Sequence, residues 1–252
     1  MQLQNTSAIV TGAASGLGAA AAAELAAAGA SVFGLDLPKA IESAPAVEGL
    51  TYVGTDVTDG EQVQAAVDAA VASGRPLRTV VNCAGIGPST RILGRKGSHD
   101  LGLFATVLSV NVAGTFNVMT LAAAAMVTTE PAEDGQRGVV VNTASIAAFD
   151  GQVGQAAYAA SKDAVAGLTL PAARDLASHG IRVCSIAPGI VDTPMLATVS
   201  DEFRAGLAAG VPFPQRLAQP REFARLVAMI IEHDYLNGET IRMDGALRMA
   251  PR

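Results

Sequence analysis

The feature that most restricts the fold of this chain is a repeated alternation of two kinds of segment. Short runs dense in valine, isoleucine and other apolar residues occur at Ser7–Thr11, Ser31–Asp36, Leu50–Gly54, Arg78–Asn82, Gly138–Asn142, Ile181–Ile186 and Thr240–Met243. Between them lie stretches of helical length at Gly16–Ala28, Glu61–Ser73, Leu101–Met126, Gln155–Ser178 and Arg221–Glu232. The short runs are near-continuous in hydrophobicity, as strands covered on both faces must be. Such alternation implies an α/β architecture, a doubly wound parallel sheet with helices on both faces. No Pro/Ser-rich linker and no internal repeat divides the 252 residues, so residues 1–252 are expected to form a single domain.

Composition removes several function classes. Hydrophobic residues make up 50% of the chain and charged residues 16%, the opposite of a disordered segment. A net charge of −6 argues against general binding to nucleic acid or to an anionic membrane, both of which need a basic face. Cys83 and Cys184 sit far apart in apolar runs, so no metal site is expected and both read as free, buried thiols of a reducing cytoplasm. The opening Met1–Asn5 lacks a basic leader, which agrees with a cytoplasmic location. The stretch Leu101–Thr129 holds no charged residue and exceeds the ~20 residues that cross a bilayer. Ser109, Asn111, Gly114 and Asn117 interrupt it, however, and asparagines near its centre would be costly in lipid. It reads as a helix buried in the protein or in a subunit interface, not as a membrane span.

The first strand ends in Thr11-Gly12-Ala13-Ala14-Ser15-Gly16-Leu17-Gly18, and a helix follows. Glycines there let the chain turn tightly and bring backbone amides to a pyrophosphate, while the helix N-terminus adds unpaired N–H groups and partial positive charge. Gly12, Ser15, Gly16, Leu17 and Gly18 are therefore candidate cofactor ligands in a Rossmann-type fold. Asp36 closes the second strand about 20 residues further on, where a carboxylate binds both ribose hydroxyls of NAD and repels the 2′-phosphate of NADP. Ala13, Ser15 and Leu37 around that pocket are not basic, and Lys39 is the one residue that complicates the preference for NAD.

Tyr158 and Lys162 are four residues apart in a helical stretch, on one face and one turn apart. A free phenol has a pKa near 10, and a neighbouring ammonium is expected to lower it and make Tyr158 a usable base. Ser145 follows the fifth strand, 13 residues upstream, where its hydroxyl can hold a substrate oxygen beside Tyr158. Two irregular segments, Gly85–Asp100 and Val191–Pro214 with room for a short helix, follow strand ends at the edge where ligands bind, and read as substrate walls.

Together Thr11–Gly18, Asn82-Cys83-Ala84-Gly85, Asn111, Ser145, Tyr158–Lys162 and Pro188-Gly189 resemble the short-chain dehydrogenase/reductase family over the whole chain. The resemblance implies a dinucleotide-binding N-terminal half and a catalytic, substrate-binding C-terminal half. It implies that Asn111 joins a proton relay through Lys162 and water and kinks its helix. It further implies that Cys83, Ala84 and Gly85 line the cofactor, that Asp56 and Val57 bracket the adenine, and that Pro188, Gly189, Val191 and Thr193 face the nicotinamide. Lys162 would also hold the nicotinamide ribose.

Longer runs, Gly135–Gly138, Asn142–Tyr158, Leu35–Pro38, Gly114–Val118, Val211–Pro214, Leu236–Glu239 and Asp244–Ala246, are similar to the branch of the family that oxidises 3-hydroxyacyl-CoA. That likeness implies reversible oxidation of an (S)-3-hydroxyacyl-CoA to the 3-ketoacyl-CoA in fatty acid metabolism, and it is weakest at Gly87–Asp100 and Ala197–Gly210. Members of the branch also use hydroxysteroids and simple secondary alcohols. A 3-ketoacyl reductase is disfavoured by Asp36, because biosynthetic reductions draw on NADPH. A non-catalytic dinucleotide-binding scaffold is disfavoured by the intact Ser145, Tyr158, Lys162 and Asn111. Arg91, Arg95 and Lys96 read equally well as attractors of CoA phosphates or as solvated loop charges. The resemblance implies a homotetramer, and the uncharged Leu101–Met126 and the Ala-rich Gln155–Ala166 face offer apolar surface for pairing about a two-fold axis, with the Arg248–Arg252 tail reaching a second interface.

Overall fold

The computed structural model describes residues 1–95, 97–196 and 200–251. Seven strands, β1 Ser7–Thr11, β2 Ser31–Asp36, β3 Leu50–Gly54, β4 Leu77–Asn82, β5 Gly138–Thr143, β6 Ile181–Pro188 and β7 Thr240–Met243, form one parallel sheet in the order β3-β2-β1-β4-β5-β6-β7. The order reverses between β1 and β4, and the crevice beyond the strand ends there is where such sheets take ligands. Every residue of β1, β4, β5 and β6 is buried, which explains why these runs are apolar throughout. Successive side chains serve opposite layers. Ile9 packs with α2 Gly60–Ala72, α3 Leu101–Met126 and α4 Ala156–Ala177, whereas Ala8 and Val10 pack with α1 Gly16–Ala27 and α6 Pro220–Glu232. Each fully buried Val, Leu or Ile contributes roughly 1.5–3 kcal/mol of transfer free energy.

The elements fall where the sequence places them, and the differences lie at their ends. Strands β5 and β6 run on to Thr143 and Pro188 because pairing continues, Thr143 against Ile186 and Pro188 against Met243. Ala28, Ser73 and Ser178, which the sequence reading includes in helices, are C-caps, and Gln155 is an N-cap. The carboxylate of Asp59 accepts from the amides of Glu61 and Gln62 and starts α2 one residue before the expected Glu61.

The uncharged helix α3 departs further from expectation. Its middle, Ser109–Gly114, is widened into a π-helix, and only one stripe of it is buried: Val107, Asn111, Gly114, Thr115, Val118, Met119, Ala122, Ala123 and Met126. Within one chain, 28% of its most apolar window is buried, so the protein interior alone does not cover it. By length and composition α3 is able to span a membrane, but its buried stripe packs against the sheet and α4. Gly85–Asp100, expected to be irregular, contains a two-residue antiparallel ribbon, Leu93–Gly94 with Gly97–Ser98. The expected short helix in Val191–Pro214 is α5, Asp201–Ala209.

Two buried arginines hold the opposite edge of the sheet. Arg78 on β4 donates to the Thr129 hydroxyl at 2.8 Å, to Arg137 O at 2.9 Å and to Glu130 O, just past the end of α3. Arg182 on β6 donates to the carbonyls of Ile230, Ile231 and Leu236 at 2.8–3.0 Å, where α6 ends. Arg182 meets carbonyls that the end of α6 leaves unpaired, whereas Arg78 ties the turn after α3 to the residue that leads into β5.

Candidate active site

The glycine turn joins β1 to α1 at the reversal point. Gly12 and Gly16 adopt φ of +66° and +56°, left-handed values that side chains rarely accept. A Cβ on Gly18 would lie 2.2 Å from the Gly12 carbonyl oxygen, so only glycine lets the helix start this close to the strand end. Ser15 is the N-cap of α1 but its hydroxyl takes none of the helix amides, and the first turn carries no acid. That end therefore keeps its amides and positive potential available for an anion, which fits the pyrophosphate of a dinucleotide. Leu17, also named from the sequence, packs against the core under the turn.

Asp36 ends β2 beside this turn. One carboxylate oxygen accepts the Ala14 amide at 2.9 Å and the other accepts the Leu37 amide at 2.8 Å. Each oxygen keeps a lone pair for ribose hydroxyls. Lys39 is exposed on the single helical turn Pro38–Ile41. Asp56 is bound to the amide and hydroxyl of Thr58, while Val57 is buried against Gly114, so its backbone rather than its side chain can meet an adenine.

The strand ends of β1, β4 and β5 are knitted together below the site. The Thr11 hydroxyl accepts the amides of both Cys83 and Ala84 at 3.0 Å, fixing the Asn82–Gly85 turn against the glycine loop. Asn82 donates to Asn142 across the sheet at 2.9 Å. Cys83 is half-buried rather than fully buried as expected, and receives the Thr143 hydroxyl at 3.5 Å. Burial pushes its thiol up to about 11, so it stays a neutral lining group.

Ser145, at the exit of β5, and Tyr158 and Lys162, in the first turns of α4, converge at this edge. Ser145 accepts the Ala147 amide at 3.1 Å, and its hydroxyl stands near enough to the Tyr158 phenol to favour the phenolate. Lys162 is buried, donates to Thr143 O at 2.7 Å, and lies 5.7 Å from the centre of the Tyr158 ring. Burial pulls its ammonium down to about 8. The expectation that Lys162 lowers Tyr158 is corrected here. Burial raises the phenol above its ordinary value, and the group that opposes this is the Ser145 hydroxyl.

Asn111 lies in the π-helical segment, which matches the expected distortion of its helix. Its fully buried side chain accepts the Ile86 amide at 2.8 Å and donates to Ile86 O and to Ser161 Oγ, both at 2.9 Å. It therefore clamps the turn at Gly85, where an added Cβ would stand 3.1 Å from Asn111 Oδ1 and 3.6 Å from Lys162 Nζ. At Gly87 an added Cβ would stand 3.3 Å from the Tyr158 ring. Thr11, Thr143, Ser161 and Gly87 were not singled out from the sequence. A hydroxyl ending the first strand is the one signal that points to Thr11.

Pro188 ends β6 and Gly189 donates to Met243 O at 2.9 Å, its Cα packed against Asp244. Val191 is buried and bridges Ala218, and Thr193 lies over Gly16, at the glycine turn. Arg91 and Arg95 are exposed, and Arg91 lines a cavity of about 420 Å³ with Ile92, Leu93 and Gly151–Ala156. Lys96, part of the Ala197–Gly210 wall and Arg252 lie outside the described residues.

Residues 6–203 match the family model for short chain dehydrogenases. The 3-hydroxyacyl-CoA dehydrogenase type-2 of Drosophila melanogaster is 50% identical over 254 residues, covering 99% of this chain and 100% of its own length. The protein of the same name from Homo sapiens is 49% identical over 249 residues, 97% of this chain and 95% of its own. Among solved structures, 3-hydroxyacyl-CoA dehydrogenase type-2 from Mycobacterium avium superposes with a TM-score of 0.91 at 44% identity, covering 98% of both chains. The likeness takes in the glycine turn, the strand ends and the helix that carries Tyr158, and on it the chain belongs to the short-chain dehydrogenase family of oxidoreductases.

Proposed function

We propose that this chain is an NAD-dependent 3-hydroxyacyl-CoA dehydrogenase, interconverting (S)-3-hydroxyacyl-CoA and 3-ketoacyl-CoA in fatty acid metabolism. The observation that carries the substrate class is the 50% identity, over the full length of both chains, to a protein named for that reaction. Asp36, with its two oxygens directed at the turn and no basic residue beside it but the exposed Lys39, supports NAD over NADP.

NAD in this cradle supplies the hydride acceptor at its nicotinamide ring. The residues of the chain do the rest. In the oxidative direction Tyr158, as phenolate, takes the proton of the substrate hydroxyl, and Ser145 donates a hydrogen bond to the same oxygen. Lys162, tied to Thr143 O, offers its remaining N–H groups to the nicotinamide ribose and adds positive charge beside the phenol. Asn111 holds the Gly85–Gly87 backbone that walls Tyr158. Arg91, which lines the cavity, and the exposed Arg95 of the same loop supply charge for CoA phosphates.

A homotetramer is part of the proposal. It is supported by the side of α3 that the chain leaves open, where Leu101 is 77% and Phe116 49% exposed. An absorbance assay at 340 nm, with both enantiomers of 3-hydroxybutyryl-CoA and a hydroxysteroid compared under NAD and NADP, tests the whole reading. The expected result is NAD-linked oxidation of the (S)-thioester at the highest kcat/KM. Preference for the steroid, or for the (R)-thioester, would replace the substrate assignment.

A further inference from the structure

Ser145 and Tyr158 are joined by a loop whose first turn, Ile146–Ala148, packs on α4 and whose far end is tied at Gly154 O by the Thr90 amide, and the last residues of the chain hold the stretch between. Arg242, on β7, reaches Asp150 in this loop at 2.5 Å and Asp244 at 2.7 Å, donates to Leu247 O at 3.1 Å, and lies 5.1 Å over the ring of Phe149. Asp244 is almost fully buried and also accepts the Ala246 amide and the Arg248 guanidinium. Further along, Gln152 donates to Ala250 O at 2.8 Å and the Val153 amide donates to Pro251 O at 3.0 Å. Leu247 and Met249 pack on Ile146, next to Ser145, and on Ile190, next to Gly189.

We propose that Arg242 is a positioning residue for the Ser145–Tyr158 pair, acting through Asp150 and a C-terminal strap, Asp244–Pro251, that fixes the loop between them. The inference rests on the roles given to Ser145 and Tyr158 in the proposed function. Three kinds of contact converge on the same loop: an ion-paired hub, two hydrogen bonds to the carbonyls of the tail and an apolar wedge. Only a guanidinium serves this hub, because its separate nitrogens meet two carboxylates at once while its plane stacks on Phe149. A lysine would satisfy one carboxylate and stack poorly. The Asp150 carboxyl is held below the usual carboxylate range, chiefly by its bond from Arg242. The hub therefore stays assembled throughout the neutral range.

The test uses full-length Arg242→Met, Arg242→Lys and Asp150→Asn proteins. Each is measured for kcat per NADH-binding site with 3-hydroxybutyryl-CoA, for NADH affinity, and for amide exchange of the Phe149–Gly154 segment by mass spectrometry. The Met variant is expected to lose about 10- to 100-fold in kcat per site, the order that an ångström-scale misplacement of reacting groups costs. NADH affinity stays unchanged, exchange of Phe149–Gly154 speeds up, and the Lys variant recovers part of both losses. Asp150→Asn, which removes only the loop's side of the hub, shows the same pattern and decides the matter should Arg242→Met not fold. Unchanged exchange overturns the inference, and so does faster exchange with full kcat per site. If the wild-type chain fails to oxidise the thioester, the substrate reading falls, and the exchange result alone decides whether Arg242 holds the loop.

Discussion

Replacing Asp36 with asparagine separates the charge of this side chain from its hydrogen bonds. The carboxylate does two jobs at once, accepting the Ala14 and Leu37 amides and presenting negative charge where a 2′-phosphate would sit. Asparagine keeps one acceptor oxygen, so it can hold only one of those amides, at a cost near 1 kcal/mol to the turn. For NADPH, a unit charge pair about 5 Å apart in an effective dielectric of about 20 is worth about 3 kcal/mol. Asp36 is half-buried, so solvent screening leaves about half of that. For NADH, charge-assisted bonds to two ribose hydroxyls become neutral ones, a loss of about 1–2 kcal/mol. The ratio of NADH to NADPH affinity should therefore fall by about 100-fold in Asp36→Asn, at 1.4 kcal/mol per factor of ten. Fluorescence titration of the free enzyme with each coenzyme measures this without any substrate, and raising the salt concentration should shrink the effect. A ratio that does not move, or a wild-type protein that binds NADPH as tightly as NADH, refutes the reasoning.

Other consequences are equally direct. Tyr158→Phe removes the base and should lower turnover by at least ~10²-fold with NADH affinity intact; near-full turnover would remove Tyr158 from its role. Because burial raises the phenol and the reactive form in oxidation is the phenolate, oxidative kcat/KM should climb with pH between 7 and 9, as the reverse reaction does not. An oxidative profile already flat at pH 7 contradicts that order. Asn111→Leu leaves the Ile86 amide and carbonyl without their buried partner and should cost about 2–5 kcal/mol in denaturant unfolding. A loss under about 0.5 kcal/mol would mean that water replaces the side chain at little cost.

What the sequence discloses here is what short-range physics decides. The strands are legible because both faces of each are covered, so their composition is uniform, and the glycine turn is legible because positive φ at Gly12 and Gly16 admits few other residues. Tyr158, Lys162 and Ser145 stand close in sequence or directly after a strand, and their meeting follows from the topology. The pKa order does not follow, since helical spacing places Lys162 near Tyr158 but says nothing of the burial that dominates both. The distortion around Asn111 is expected from the family resemblance and not from local pattern, because it goes with bonds to Ile86 and Ser161 that are distant in sequence. The Arg242 hub is least legible, because Asp150, 92 residues away, becomes its partner only when β7 is laid beside β6.

The two buried arginines at the starts of β4 and β6 divide the molecule by purpose. Arg78 and Arg182 spend their charge on backbone carbonyls at the edge of the sheet away from Tyr158, whereas the buried Lys162 at the other edge stands in the reaction site. The sheet thus has an end that sets how long the enzyme survives and an end that sets what it does. Substitutions at Arg78 or Arg182 should shorten the lifetime of the folded protein while leaving the rate constants of the survivors unchanged. The reaction edge is then free to change its loops, and with them its substrate, without drawing on what keeps the sheet together.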